Sequence, residues 1–363
     1  MVTFSCITTC YAEGPLLRHS LASMWRQGFT DFELILVQDG ADAATRALAE
    51  AEDDPRLRIL RQANDGLSSA RNRALAAARG DYVCFLDADD TRPPWALETL
   101  ARQIDASAPD LILAPGLLSE ENGHLSRFYD QGQIAALHGH LAPAPGGTGH
   151  EGAPGYRQAQ ALALLAEPQS ANKCLRRDLI RRAGLGFPNG HFFEDIYFHT
   201  LAVAAADSLA CVAHPTFTYH RRPGGGQITG ARDARRFDIL AVLRLLLARF
   251  APLPEAEDPA CRGALMLSAA RLASWCEAMI SHHHRAPFRD GLVAVLALLD
   301  PSLRALPPDL ARHLPLPLAP FAPAQAWLQA LLADPRLSAP PIREVRDAPD
   351  PARFPRLWPK RRA

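Results

Sequence analysis

The sequence predicts an α/β fold: a mixed, nucleotide-binding type of sheet flanked by helices, followed by a C-terminal helical extension. Three observations carry this. Apolar segments of strand length alternate four times with helix-patterned segments inside the first 90 residues. Two of those strands end abruptly in acid, residues 32–37 running into Gln38-Asp39-Gly40 and residues 82–86 into Asp87-Ala88-Asp89-Asp90. Beyond residue 235 the pattern changes to long apolar or amphipathic helices joined by proline-rich linkers. Strand and helix in alternation require parallel pairing with right-handed crossovers, which gathers the carboxyl ends of the strands on one edge.

Each element has its local reason. Residues 2–8 read as a first strand; Glu13 and Gly14 turn the chain, and Leu16, Leu17, Leu21 and Met24 then recur at helical spacing up to Gly28. The strand at 32–37 is followed by a helix at about 43–52, a short strand at 57–60 and a helix at 67–78 stopped by Gly80. The strand at 82–86 is bounded by Gly80 and by Thr91-Arg92-Pro93-Pro94. A helix at 95–104 and a strand at 110–114 come next, and the glycine- and proline-rich stretch 141–155 reads as a loop. Helices at 177–183 and from 192 to about 206, a strand at 211–219 and a basic, glycine-rich loop at 220–226 complete this part. The extension is expected to hold helices at 237–250, 262–280, 289–299 and 325–332, with His282-His283-His284 read as a solvated helix end.

Composition narrows the function. Lys plus Arg and Asp plus Glu number 39 each, so nothing global argues for nucleic acid. Seven cysteines without a Cys-x-x-Cys spacing fit reduced thiols rather than a disulfide framework or a zinc site. The first ten residues lack the features of a signal peptide, and no apolar run is long enough to span a membrane, so a cytoplasmic protein is expected. The stretch 335–363 has a net charge of +5 and is expected to lie over a surface, with peripheral contact to the inner face of a membrane left open. The division expected is 1–234, 235–334 and 335–363, and self-association stays open.

Asp87, Asp89 and Asp90 crowd three carboxylates into four residues, and their repulsion needs a positive partner. A divalent cation with hard oxygen ligands, Mn²⁺ or Mg²⁺, suits such a group and leaves coordination sites for substrate phosphates. A plain acidic helix cap is the alternative for an isolated Asp-x-Asp.

Taken together, residues 2–230 resemble the family 2 glycosyltransferases of the GT-A fold. Thr9-Cys10-Tyr11-Ala12-Glu13 stands where that family has Pro-x-Tyr-Asn, and residues 32–40 match its second strand and Asp-Asp-Gly-Ser turn. Gly66-Leu67-Ser68-Ser69-Ala70-Arg71-Asn72 matches its Gly-x-Ser-x-Ala-Arg-Asn, residues 85–90 its Asp-x-Asp, and Glu194-Asp195 its Glu-Asp pair. The departures, Thr9, Ala12, Gln38 and Ala41, lie at the edge of the nucleotide site.

The resemblance implies an inverting transferase that uses a nucleotide-diphospho-sugar, a UDP-sugar first among them, and a glycan or lipid-linked acceptor in surface polysaccharide or glycolipid synthesis. Thr9, Tyr11, Glu13 and Asp39 would then line the nucleoside, with Arg71, Asp87 and Ala88 on base, ribose or diphosphate. Asp89 and His220 would ligate the metal, Arg221 and Arg222 would close over the diphosphate, and Lys173 would stand near the acceptor. Asp195 would be the general base, which inversion requires on the acceptor hydroxyl. The plain alternatives are a helix cap for Asp39, an acidic helix start for Glu194-Asp195 and surface roles for Arg71 and Lys173. A pyrophosphorylase of similar sheet type would want a glycine-rich loop after the first strand, where only Gly14 occurs before Gly28. An inactive nucleotide-sugar-binding or scaffold protein of the same fold is the remaining alternative.

Overall fold

The computed structural model describes residues 2–222 and 233–338. The first half follows the predicted alternation: β1 (Phe4–Cys10), α1 (Pro15–Trp25), β2 (Phe32–Asp39), α2 (Ala43–Glu50), β3 (Leu57–Gln62), α3 (Leu67–Ala77) and β4 (Tyr82–Phe85). Next come α4 (Ala96–Ser107), β5 (Leu111–Leu113), β6 (Gly116–Ser119), β7 (Leu125–Arg127), α5 (Gln131–Leu141), β8 (Thr148–His150), α6 (Tyr156–Leu165) and β9 (Lys173–Arg176). They lead to α7 (Arg177–Arg182), α8 (Glu194–Ala205), β10 (Ser208–Cys211) and β11 (Phe217–His220).

The main sheet has the order β3-β2-β1-β4-β9-β5-β10-β8. β3, β2, β1 and β4 are parallel, as crossover helices require; β9 runs antiparallel between β4 and β5, and β8 antiparallel on the far edge. Alternate side chains feed two cores: Ile35 and Val37 face α3 and its neighbours, Leu34 and Leu36 the side of α1 and α4. Gly80 is needed where the chain enters β4, since a Cβ there would stand 2.4 Å from the Ser5 nitrogen.

Several expectations are corrected. The expected loop at 141–155 contains β8, which pairs with β10 as an edge strand. The single strand expected at 211–219 is two strands in two sheets, because the segment through Pro215 carries the chain from β10 into a small sheet of order β11-β6-β7. The three histidines open a helix rather than end one.

The C-terminal helices are α9 (Asp238–Phe250), α10 (Pro254–Glu257), α11 (Pro259–Met279), α12 (His282–Ala297), α13 (Pro301–Arg304), α14 (Leu310–His313) and α15 (Ala322–Leu332). α11 packs across α6 and α15, and α9 packs on α8. Val83 and Phe85 of β4 belong to the same apolar cluster as Leu265 of α11 and Leu328 of α15, so one core runs through the expected boundary at 234/235. No helix among the described residues is long and apolar enough to cross a membrane.

Candidate active site

Parallel β2 and β4 deliver Asp39 and Asp87 to the same edge, and α3 begins beside them. Arg71, in the second turn of α3, is 2% exposed and ties this edge to the start of α8. Its Nη2 donates to Asp87 Oδ1 at 2.8 Å, while Nη1 donates to Glu194 Oε1 at 3.0 Å and Asp195 Oδ1 at 2.9 Å. The guanidinium lies 5.1 Å from the centroid of Phe187. Burial opposes its charge, but Asp195, Asp87 and Glu194 outweigh burial and hold it more firmly protonated than usual. The surface-arginine alternative is thereby excluded.

Asp195 also accepts from the Ser170 hydroxyl, again on Oδ1. Among the described residues no hydrogen bond of this set reaches Oδ2, and the side chain is 29% exposed. Glu194 beside it is buried, and burial followed by the charge of Asp195 pushes its pKa up to about 8. The raised pKa weakens the charge that Glu194 offers to Arg71 beside those of Asp87 and Asp195. The folded pKa lies above the ordinary 4.5, so the folded state binds the extra proton and stability falls as pH rises from about 4.5 to about 8. Glu194→Gln keeps the acceptor for Arg71 and removes this titration; its melting temperature should decline less than wild type between pH 5 and pH 8.5. An unchanged slope in thermal melts would show that Glu194 does not titrate there.

On the other side of Asp87 the acids are met by the end of β11. Asp89 pairs with Arg222, whose Nε lies 2.8 Å from Oδ2. Asp90 is fully buried, accepts from the His220 backbone N–H at 3.0 Å, and is raised well above the carboxylate range by burial and by Asp87 and Asp89. The His220 ring lies 2.9 Å from the Thr91 hydroxyl, and burial lowers its pKa while Asp89 opposes that shift. Arg221 turns away to Glu120 at 3.0 Å and the Tyr129 hydroxyl at 2.7 Å. Residues 223–226 of the expected basic loop, and 339–363 of the tail, lie outside the described residues.

The residues expected to line a nucleoside divide. Asp39 spends its carboxylate on the chain itself, accepting from the Asp65 and Gly66 amides at 2.8 and 2.9 Å and from Gln62 at 2.9 Å. It therefore shapes the turn into α3, and Gly40, at φ 68 with Asn64 only 2.7 Å from where a Cβ would stand, completes that turn. Tyr11 is 48% exposed at the rim, its amide donating to Glu13 at 2.6 Å. Burial raises Glu13, which also feels Arg222 and Asp89. Thr9 is half-buried in β1, and Ala88 is buried. Lys173 is buried beneath the turn that carries Ser170, donating to the Gln169 carbonyl and at 2.6 Å to Asn172. Burial brings its pKa down to about 7, against the pull of Asp195 and Asp130. It supports that turn from below.

Three contributors escaped the sequence reading: Ser170, Phe187 and Asn72. Asn72 follows Arg71 and clamps Phe187, accepting from its amide at 2.8 Å and donating to its carbonyl at 2.8 Å. Its place in the Ala-Arg-Asn motif was the available signal.

Residues 5–141 match the sequence model of the family described as Glycosyl transferase family 2. The chain is 37% identical over 110 residues to EpsJ, an uncharacterized glycosyltransferase of Bacillus subtilis, covering 30% of this chain and 32% of that protein. It is 28% identical over 221 residues to EpsH of the same organism, a putative glycosyltransferase, covering 59% and 60%. With the succinoglycan biosynthesis protein ExoO of Rhizobium meliloti it shares 29% identity over 137 residues, 38% and 39% of the two chains. The matches thus span from about a third to three-fifths of the relatives' own length. In fold the chain is similar to S. aureus TarS 1-349 in complex with UDP-GlcNAc, with a TM-score of 0.64 at 19% identity over 91% of this chain and 89% of that one.

Proposed function

We propose, on the premise that the match of residues 5–141 to the glycosyl transferase family 2 model reflects the chain's chemistry, an inverting transferase that moves a sugar from a nucleotide-diphospho-sugar to an acceptor hydroxyl. The observation that carries this reading is the asymmetry of Asp195. Its Oδ1 is held by Arg71 and Ser170, while the side chain stays partly exposed, which would let Oδ2 meet an acceptor hydroxyl. A base so oriented takes the hydroxyl proton as the oxygen attacks the anomeric carbon, and the nucleoside diphosphate departs on the opposite face. Tyr11 and the Asp39 turn would border the nucleoside, and Asp87 the ribose. The UDP-GlcNAc held by TarS makes a UDP-sugar the first donor to try. Surface polysaccharide is the proposed product class, as the name of ExoO suggests, with work at the inner face of the membrane and the basic tail toward anionic lipid.

The departing diphosphate needs positive charge. Asp89, with His220 beside it, has the hard donor chemistry for Mn²⁺ or Mg²⁺, although no cluster of three such ligands is assembled among the described residues. A cation there would shield the diphosphate from the carboxylates. Arg222, now paired with Asp89, is the protein's own cation for the same charge, so ion and guanidinium would share one carboxylate. Incubation with labelled UDP-sugars should release UDP in Mn²⁺ and not in EDTA, and Asp89→Ala should lose both donor affinity and hydrolysis. Full activity of Asp89→Ala in EDTA would remove the metal assignment. Donor binding without any hydrolysis or transfer across an acceptor array would favour a nucleotide-sugar-binding scaffold.

A further inference from the structure

The acid pair at the start of α8 is preceded by a backbone anomaly. Phe193 stands in the left-handed region, φ 66 and ψ 24, immediately before Glu194. Among the described residues only Ala108 is another non-glycine with positive φ. A bulky aromatic reaches that region only when its surroundings over-determine it.

Those surroundings come from two places. The turn entering α8 is anchored at its start by Asn72, which holds Phe187 through both backbone groups and Asn189 at 2.9 Å. Its far end is anchored by the C-terminal helical region. The Phe192 amide donates to Asp238 Oδ2 at 3.2 Å, at the first residue of α9. The Phe193 ring meets Trp275 of α11 edge to face, with centroids 6.3 Å apart at 88°. Trp275 is itself backed by the buried Arg236 guanidinium, 4.0 Å from its centroid, and Arg236 also donates to Cys276 Sγ at 3.7 Å.

We propose that Trp275, Arg236 and Asp238 are positioning residues for the acid pair: the helical region holds the strained turn and thereby aims Asp195 at the acceptor. The inference rests on Asp195 being the base for its catalytic consequence, but not for its mechanical one. With Asn72 one residue from Arg71, the two anchors fix both the guanidinium and the carboxylates it bridges. Asp195 can then present Oδ2 without first ordering the turn, which is the benefit of a preorganised base. The extension expected to stand apart from the chemistry becomes part of the frame that sets it.

Trp275→Leu removes the platform and keeps an apolar side chain; Trp275→Phe keeps an edge-to-face partner; Phe193→Asn keeps a residue that tolerates the left-handed region but loses the ring. Hydrogen exchange of amides 192–196 should be at least about tenfold faster in Trp275→Leu and Phe193→Asn, and near wild type in Trp275→Phe. In the same proteins kcat should fall by about ten- to hundredfold, with calorimetric donor Kd within about twofold, and Trp275→Phe should recover most of the loss. A merely structural role for Trp275 would lower the melting temperature without this split between kcat and donor affinity. If Trp275→Leu does not fold, Phe193→Asn gives the same reading. Unchanged exchange at 192–196 in a folded variant overturns the clamp. Faster exchange with kcat unchanged overturns its catalytic consequence, provided Asp195→Asn has lost turnover; if Asp195→Asn is active, the base assignment falls instead, and the exchange result alone judges the clamp.

Discussion

Asp195→Asn should bind donor as tightly as wild type and turn over about 10²- to 10⁴-fold more slowly, the usual worth of a positioned base. Asparagine keeps an oxygen for Arg71 and Ser170, so the frame around the residue survives the change. What it loses is the ability to accept a proton. A residue that served only as an acidic helix start would show a small stability loss and near-normal turnover, since asparagine is comparably good near a helix N-terminus. Calorimetry with the donor nucleotide and single-turnover kinetics on the same preparation separate the two, and turnover within about threefold of wild type would be too small a loss for a base.

Arg71→Met should damage both fold and function. The guanidinium is buried and meets Asp87, Asp195 and Glu194 at 2.8 to 3.0 Å, so its removal leaves buried or half-buried acid groups facing one another without a cation. Breaking a buried ion pair from one side costs about 3–5 kcal/mol. Protonation relieves crowded carboxylates, so the deficit in denaturant melts should be larger at pH 8 than at pH 5. Arg71→Lys restores the charge but not the fork that reaches acids on two elements, and should recover part of the stability with little of the activity. A melt of Arg71→Met within about 1 kcal/mol of wild type at pH 8 would mean that the carboxylates find another partner, and that Arg71 is not the hub of the site.

Much of the fold and part of the site are legible in the residues themselves. The apolar run ending in Asp87-Ala88-Asp89-Asp90 marks a strand end because Tyr82 to Phe85 are all buried while three carboxylates within four residues cannot continue a fully apolar strand. Arg71 is legible through the Ala-Arg-Asn motif, though not what it touches. The segments that escape such a reading are short and locally silent. β8 and β9 have three and four residues, too few to show alternation, and each exists through partners far along the chain. α6 is buried along nearly its whole length, so its run of alanine and leucine carries no amphipathic stripe to read.

By itself the sequence determined what near neighbours decide: the longer strands and helices of the first 90 residues, and where acid sits at a strand end. These follow from the period of the apolar pattern and from glycine and proline, whose effects reach only a few residues. The tertiary structure alone decided which groups meet. Arg71 reaches Glu194 and Asp195 across 123 and 124 positions, and Asp89 finds Arg222 across 133. Asp39 turned from an open carboxylate into the anchor of its own loop because Asp65 and Gly66 fold back onto it. A left-handed Phe193 had no signal in its own letters. That conformation is unfavourable locally, and it persists because Trp275 and Asp238, distant in the chain, hold its surroundings in place.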